Sequence, residues 1–111
     1  MRRFQRMIFA AALLIAAGPV LGGDVKVLIS ECESCHGPNG VSDQSDIPSL
    51  AGKKAGEIEE ALDAFYYYER HCTTTTYRHG DRPKTPLSMC NVSNTLSKED
   101  KKAIAEYFSK G

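Results

Sequence analysis

Five consecutive residues, Cys32-Glu33-Ser34-Cys35-His36, have the types and the spacing for metal-centred redox chemistry. Two cysteines separated by two residues, with a histidine directly after the second, have the spacing of covalent haem attachment. Each thiol adds across one vinyl group of the porphyrin, and the histidine can bind the iron as proximal ligand. Two other chemistries use paired cysteines. A zinc site needs a second ligand pair at matched spacing. A thioredoxin-like dithiol wants a βαβ setting, and the chain shows no strand pattern.

An iron bound by one histidine takes a sixth ligand or stays open. Of the three methionines, Met1 and Met7 fall in an expected leader, which leaves Met89. A thioether there raises the redox potential relative to a second imidazole. His71 and His79 are rivals that give a bis-histidine centre. An open iron is the third choice and suits ligand binding or peroxidase-type chemistry. The carbonyl of Pro48 is a candidate acceptor for the ring N–H of His36, since an iron-bound histidine usually donates its other nitrogen to such a group. The alternative is that Pro48 serves as a turn residue.

Two cysteines remain, Cys72 and Cys90, the second adjacent to Met89. A disulfide between them closes a loop of about 18 residues, worth on the order of 3 kcal/mol by the chain-entropy account. It also limits how far Met89 strays. Two buried free thiols, or pairing with another protein, are the alternatives. Neither cysteine belongs to a second attachment motif, so a single haem is expected.

Four cysteines in 111 residues suit an oxidising compartment. The chain starts accordingly. Arg2, Arg3 and Arg6 precede an apolar run from Ile8 to Ala17, then Gly18-Pro19 and small residues to Gly23. That order reads as a secretory signal peptide over residues 1–23, with a retained N-terminal anchor as the alternative. The run is about ten residues, half of what a bilayer span needs. Periplasmic export with cleavage near residues 22–23 is expected, leaving a domain over residues 24–111 and no stable membrane insertion. The whole chain balances 14 basic against 14 acidic residues, and loss of the leader's three arginines makes the remainder mildly acidic. No basic patch suggests nucleic acid. So short a domain has little core and needs a staple, which a haem supplies as an apolar slab.

The elements that must position these residues read as helices. Val25, Leu28, Ile29 and Cys32 form one helical stripe from Asp24 to Cys32, leading into the attachment motif. Gly37-Pro38-Asn39-Gly40 breaks it. Lys53 to about Glu69 is a second helix with Ile58, Ala61, Leu62 and Phe65 inside and Glu57, Glu59, Glu60 and Asp63 outside. One of Tyr66, Tyr67 and Tyr68 is expected to pack. Residues 71–94 read as a long loop, which in a compact domain tends to be functional and must be held in place. Ser97 to Asp100 resembles a capping box opening the last helix, with Ile104, Tyr107 and Phe108 on its apolar face.

Taken together these segments resemble a class I cytochrome c. Cys32-Glu33-Ser34-Cys35-His36-Gly37, Ile47-Pro48-Ser49-Leu50-Ala51-Gly52, Met89, Leu96-Ser97-Lys98-Glu99-Asp100 and Ala105-Glu106-Tyr107-Phe108 occur in the family's order. Short bacterial forms related to cytochrome c4 and c553, and the haem subunits of sulfide-oxidising flavocytochromes, are the most similar in pattern. The Thr73–Thr76 run and the Cys72/Cys90 pair depart from it. The resemblance implies an all-α fold of three to four short helices around one covalent haem c, the terminal helices crossing. It implies the Pro48 carbonyl bonded to His36, and Met89 on the distal side. It implies an electron-transfer protein rather than an enzyme: a periplasmic carrier, or the haem subunit of a dehydrogenase. Expected partners are redox proteins, with a dehydrogenase or flavoprotein as donor and an oxidase or another cytochrome as acceptor. Lys53, Lys54 and the loop from Arg78 to Lys84 are candidate flanks of the transfer edge. An open-site haem sensor and a haem-free dithiol protein are the competing readings.

Overall fold

The computed structural model describes residues 24–111, so the expected leader lies outside the described residues. Among the described residues four helices follow in order: α1 (Val25–His36), α2 (Ala55–Tyr66), α3 (Met89–Asn94) and α4 (Lys98–Ser109). A 3-10 turn, Pro38–Gly40, follows α1. Among the described residues there is no strand, only one isolated antiparallel bridge between Thr75 and Leu87. The all-α expectation holds.

Helix α1 starts where Asp24 accepts the Lys26 N–H at 2.9 Å, which satisfies one of the free donors of the first turn. It runs four residues past Cys32, to His36. Nothing in Glu33-Ser34-Cys35-His36 opposes a helix, and the break falls on Gly37 at φ +89°. A side chain at Gly37 would put its Cβ 1.9 Å from the Val41 carbonyl oxygen, so the sharp turn after the motif requires glycine.

Helix α2 is shorter than expected, ending at Tyr66 rather than near Glu69. Tyr68 sits in the left-handed region at φ 58°, which a continuing helix does not allow. Of the three tyrosines, Tyr66 packs and the other two are exposed. Lys101 Nζ lies 4.1 Å from the Tyr66 ring centroid and 2.9 Å from Asp63 Oδ1, tying α4 to α2.

Helix α3 lies inside the stretch expected to be loop. Ser88 caps it, accepting from the Asn91 N–H at 3.3 Å while Asn91 Oδ1 accepts the Ser88 N–H at 3.0 Å. Helix α4 opens as expected: Ser97 Oγ accepts the Asp100 N–H and Asp100 Oδ2 accepts the Ser97 N–H, both at 3.0 Å. Its inner face is Lys101, Ile104, Ala105 and Phe108; Tyr107, expected inside, is 44% exposed. One step along a helix turns about 100°, so Ala105 and Phe108 leave Tyr107 outside.

The core is one cluster drawn from every helix but α3: Ile29, Ile58, Leu62, Leu96, Ile104, Ala105 and Phe108. Helix α2 packs on α3 and α4, and α1 packs on α4. Leu28, Cys32, Leu50, Ala55 and Met89 rim the cluster, half-buried. Gly40, at φ +79°, lets the turn after α1 lie on the Phe108 ring, where a Cβ would sit 2.7 Å from Cδ1. Its carbonyl accepts the N–H groups of Leu50 and Ala51 at 2.7 and 3.1 Å, which fixes the segment containing Pro48.

Candidate functional site

Because α1 continues to His36, Cys32, Cys35 and His36 stand at i, i+3 and i+4 on one helical face. Cys32 reaches the rim of the core, and Cys35 is half-buried beside the long loop, its sulfur 3.8 Å from the Thr76 carbonyl oxygen. Neither thiol is paired within the chain. Burial, with the Glu31 carboxylate adjacent, pushes the Cys32 thiol up to about 12, so it is held as the neutral thiol.

His36 is 9% exposed. Its Nδ1 is 2.7 Å from the Pro48 carbonyl oxygen. A carbonyl only accepts, so Nδ1 carries the proton and donates, and Nε2 keeps a free lone pair. Burial lowers the imidazole's affinity for a second proton, while the Pro48 bond opposes this. The outcome is a neutral, oriented imidazole with one nitrogen available to a metal.

Met89 is the first residue of α3 and packs against the cluster that Cys32 also touches. Ser88 as cap fixes where α3 begins, and so where Met89 leaves the chain. The rival His71 is exposed. His79 Nε2 lies 3.2 Å from Asp43 Oδ1, directed to the loop after α1. Cys72 and Cys90 are side by side, with Cα atoms 5.8 Å apart and their sulfurs in contact.

The long loop is held by side chains that sequence reading treats as solvated. The N–H groups of Arg78 and His79 both donate to the Ser34 carbonyl oxygen, at 3.1 and 2.9 Å, inside the attachment motif. Arg82 Nη1 donates to Glu31 Oε1 at 2.6 Å and stacks 4.7 Å from the Tyr77 ring centroid. Arg78 pairs with Asp46 at 2.7 Å. Arg78 and Arg82 are therefore internal ties rather than free cations, whereas Lys53, Lys54 and Lys84 are exposed. Their acceptors are 32 and 51 residues away in the chain, with no periodic signal to join them.

The donor set is therefore two unpaired thiols one helical turn apart, a neutral oriented imidazole and a thioether on the shared core rim, and these residues fit a covalently held haem. The family model for cytochrome c matches residues 24–110.

The chain belongs to the cytochrome c family.

Members of the family are electron-transfer proteins rather than enzymes, and haem c is the cofactor of this cytochrome. It is 31% identical over 100 residues to the thiosulfate dehydrogenase electron acceptor of Stutzerimonas stutzeri, a match spanning 89% of this chain and 41% of that protein. It is 30% identical over 94 residues to cytochrome c4 of Pseudomonas aeruginosa, spanning 85% of this chain and 39% of that one. Against cytochrome c-553 of Helicobacter pylori it is 31% identical over 107 residues, 94% of this chain and 95% of the other. This cytochrome thus spans about two fifths of the first two relatives and nearly all of the third.

Proposed function

We infer that this cytochrome is a periplasmic monohaem carrier of single electrons, with Cys32 and Cys35 as thioether attachments and His36 and Met89 as axial ligands. The observation that carries the reading is the 2.7 Å bond from His36 Nδ1 to the Pro48 carbonyl, which leaves Nε2 free on the face that also bears both thiols. Met89, on the same apolar rim as Cys32, is the donor this supports for the sixth position. When bound, haem iron supplies one-electron cycling between Fe(III) and Fe(II), at a potential raised by a thioether ligand. The chain's own part is to hold the ligands. Pro48 fixes the imidazole, Ser88 fixes the start of α3, and a Cys72–Cys90 disulfide braces the loop that carries Met89.

Export to the periplasm is supported by the basic start and apolar run of residues 1–23 and by the cysteine content. Partners on this reading are redox proteins: a dehydrogenase or flavoprotein as donor, an oxidase or another cytochrome as acceptor. A second form of the reading makes this cytochrome the haem subunit of a dehydrogenase. The likeness to a protein named as a thiosulfate dehydrogenase electron acceptor favours it.

The test is expression with haem-maturation machinery in an exporting host. Pyridine haemochrome analysis is expected to give one haem per chain. The ferric protein should show the weak far-red band of thioether-ligated iron, and Met89→Ala should abolish it, lower the potential and open the iron to carbon monoxide. A colourless product with titratable Cys32 and Cys35 refutes the attachment. An unchanged band in Met89→Ala refutes the sixth ligand.

A further inference from the structure

The geometry points to Arg78 as a positioning residue that couples the two axial-ligand arms of this cytochrome, the segment that orients His36 and the segment that carries Met89. The inference rests on the His36/Met89 reading above. A guanidinium has five N–H donors in a fixed plane. Arg78 uses all five on side chains. Nε and Nη2 both donate to Thr75 Oγ1, at 3.3 and 2.7 Å. Nη1 donates to Gln44 Oε1 and to Asp46 Oδ1, both at 3.0 Å, and Nη2 donates to Asp46 Oδ2 at 2.7 Å. The Thr75 hydroxyl accepts both bonds and directs its own proton to the Thr76 carbonyl at 3.4 Å, so its capacity is filled as well.

Each partner leads to a ligand. Asp46 lies two residues before Pro48, whose carbonyl orients His36. On the other side, Thr75 and Leu87 exchange both of their backbone hydrogen bonds, each at 2.8 Å, and Leu87 lies two residues before Met89. The backbone N–H of Arg78 makes the third connection, to the Ser34 carbonyl between the two attachment cysteines, at 3.1 Å. One side chain therefore ties the proximal support to the strap bearing the distal donor, on a backbone already docked to the motif.

The charge pair alone is a weak device, because the Asp46 side chain is 63% exposed and Arg78 23%. The strength is in the geometry. A bidentate fork to a carboxylate with the remaining donors filled leaves the side chain one orientation. Lysine at the same place keeps the charge and loses the fork.

The experiment is imidazole titration of the ferric holoprotein, in which imidazole competes with the protein's own sixth ligand. Arg78→Ala is expected to raise the apparent imidazole affinity about tenfold, equivalent to about 1.4 kcal/mol of lost ligand positioning, and to weaken the far-red band. Arg78→Lys should fall between it and the parent. Asp46→Asn is read in the same titration, so the test stands if Arg78→Ala does not mature. Lys101→Ala breaks the α2–α4 tie instead and should leave imidazole affinity unchanged. The inference is overturned if Arg78→Lys and Asp46→Asn both stay within twofold of the parent. It is overturned equally if Lys101→Ala raises the affinity as much as the Arg78 variants do. Met89→Ala separates the two levels: should it leave the affinity unmoved, the sixth-ligand reading fails, whereas a rise there beside unmoved Arg78 variants sinks only the coupling.

Discussion

The Cys72–Cys90 pair gives the most direct quantitative test. The two residues are 18 apart in sequence, and a cross-link over that span removes about 3 kcal/mol of loop entropy from the unfolded chain at 25 °C. The folded state adds two constraints within the same loop: the Thr75–Leu87 bridge and the docking of Arg78 and His79 on Ser34. Neither reduces the expected effect, because both are absent from the unfolded ensemble where the cross-link acts. Cys72→Ser is the better perturbation, since Cys72 is half-buried whereas Cys90 is 2% exposed and would leave a void. At about 4–8 °C per kcal/mol for a domain of this size, Tm should fall by roughly 12–24 °C in the matured protein. Thermal unfolding followed by circular dichroism measures this, with thiol titration of the denatured parent as the check on pairing. If Tm moves by less than about 3 °C, or the denatured parent yields two thiols, the brace does not exist.

Gly40→Ala forces a side chain into left-handed backbone and against Phe108 Cδ1 at 2.7 Å. The expected loss is about 2–3 kcal/mol, read as a fall in denaturation midpoint at constant slope. Tyr68→Gly should do the reverse. Tyr68 holds φ 58° and is 67% exposed, so relief of strain exceeds lost packing and a gain of about 0.5–1 kcal/mol follows, net of the freer unfolded chain; calorimetry should show Tm rising by a few degrees. The Arg78 N–H groups hold the Asp46 carboxyl below the usual carboxylate range. A depressed folded-state pKa stabilises above the unfolded value and loses that stabilisation as pH falls through the folded one. As pH falls below about 4, the ordinary Asp value, the parent should therefore lose stability more steeply than Asp46→Asn in parallel acid melts.

The attachment motif was legible because its chemistry is local: Cys32, Cys35 and His36 fit on little more than one helical turn. The stripes of α1, α2 and α4 were legible because they repeat over three turns, although Val25, expected on the α1 stripe, is 40% exposed in the first turn, before the helix reaches the core; Ser97-Asp100 was legible because a capping box is a four-residue device. Helix α3 escaped because six residues carry no period. Its one signal was Ser88 with Asn91 three residues on, a cap in which asparagine replaces the usual acid or glutamine. Tyr107 was misplaced because Ala105, with almost no hydropathic weight, takes the inward position beside Ile104 and Phe108. The ties of Arg78 and Arg82 escaped for a different reason. An ion pair between distant segments leaves no pattern along the chain, and an arginine in a polar loop reads the same whether it is solvated or filled.

These differences bear on what a long loop needs in so small a domain. The buried cluster holds seven residues, and its rim of Leu28, Cys32, Leu50, Ala55 and Met89 is apolar but only half-covered. Residues between α2 and α3 place no side chain in that cluster, so burial alone cannot fix them. The chain substitutes polar geometry for core: two N–H groups on one Ser34 carbonyl and a five-bond guanidinium tie residues 72–90 to the α1 side of the site, while one bridge and the cysteine pair close that stretch on itself. Such ties are directional where hydrophobic contacts are not. A sulfur donor that must meet one metal position gains more from direction than from area. On the proposed reading, in which Met89 is the sixth ligand, the ties that place this donor lie in the loop before it rather than in the motif of Cys32, Cys35 and His36.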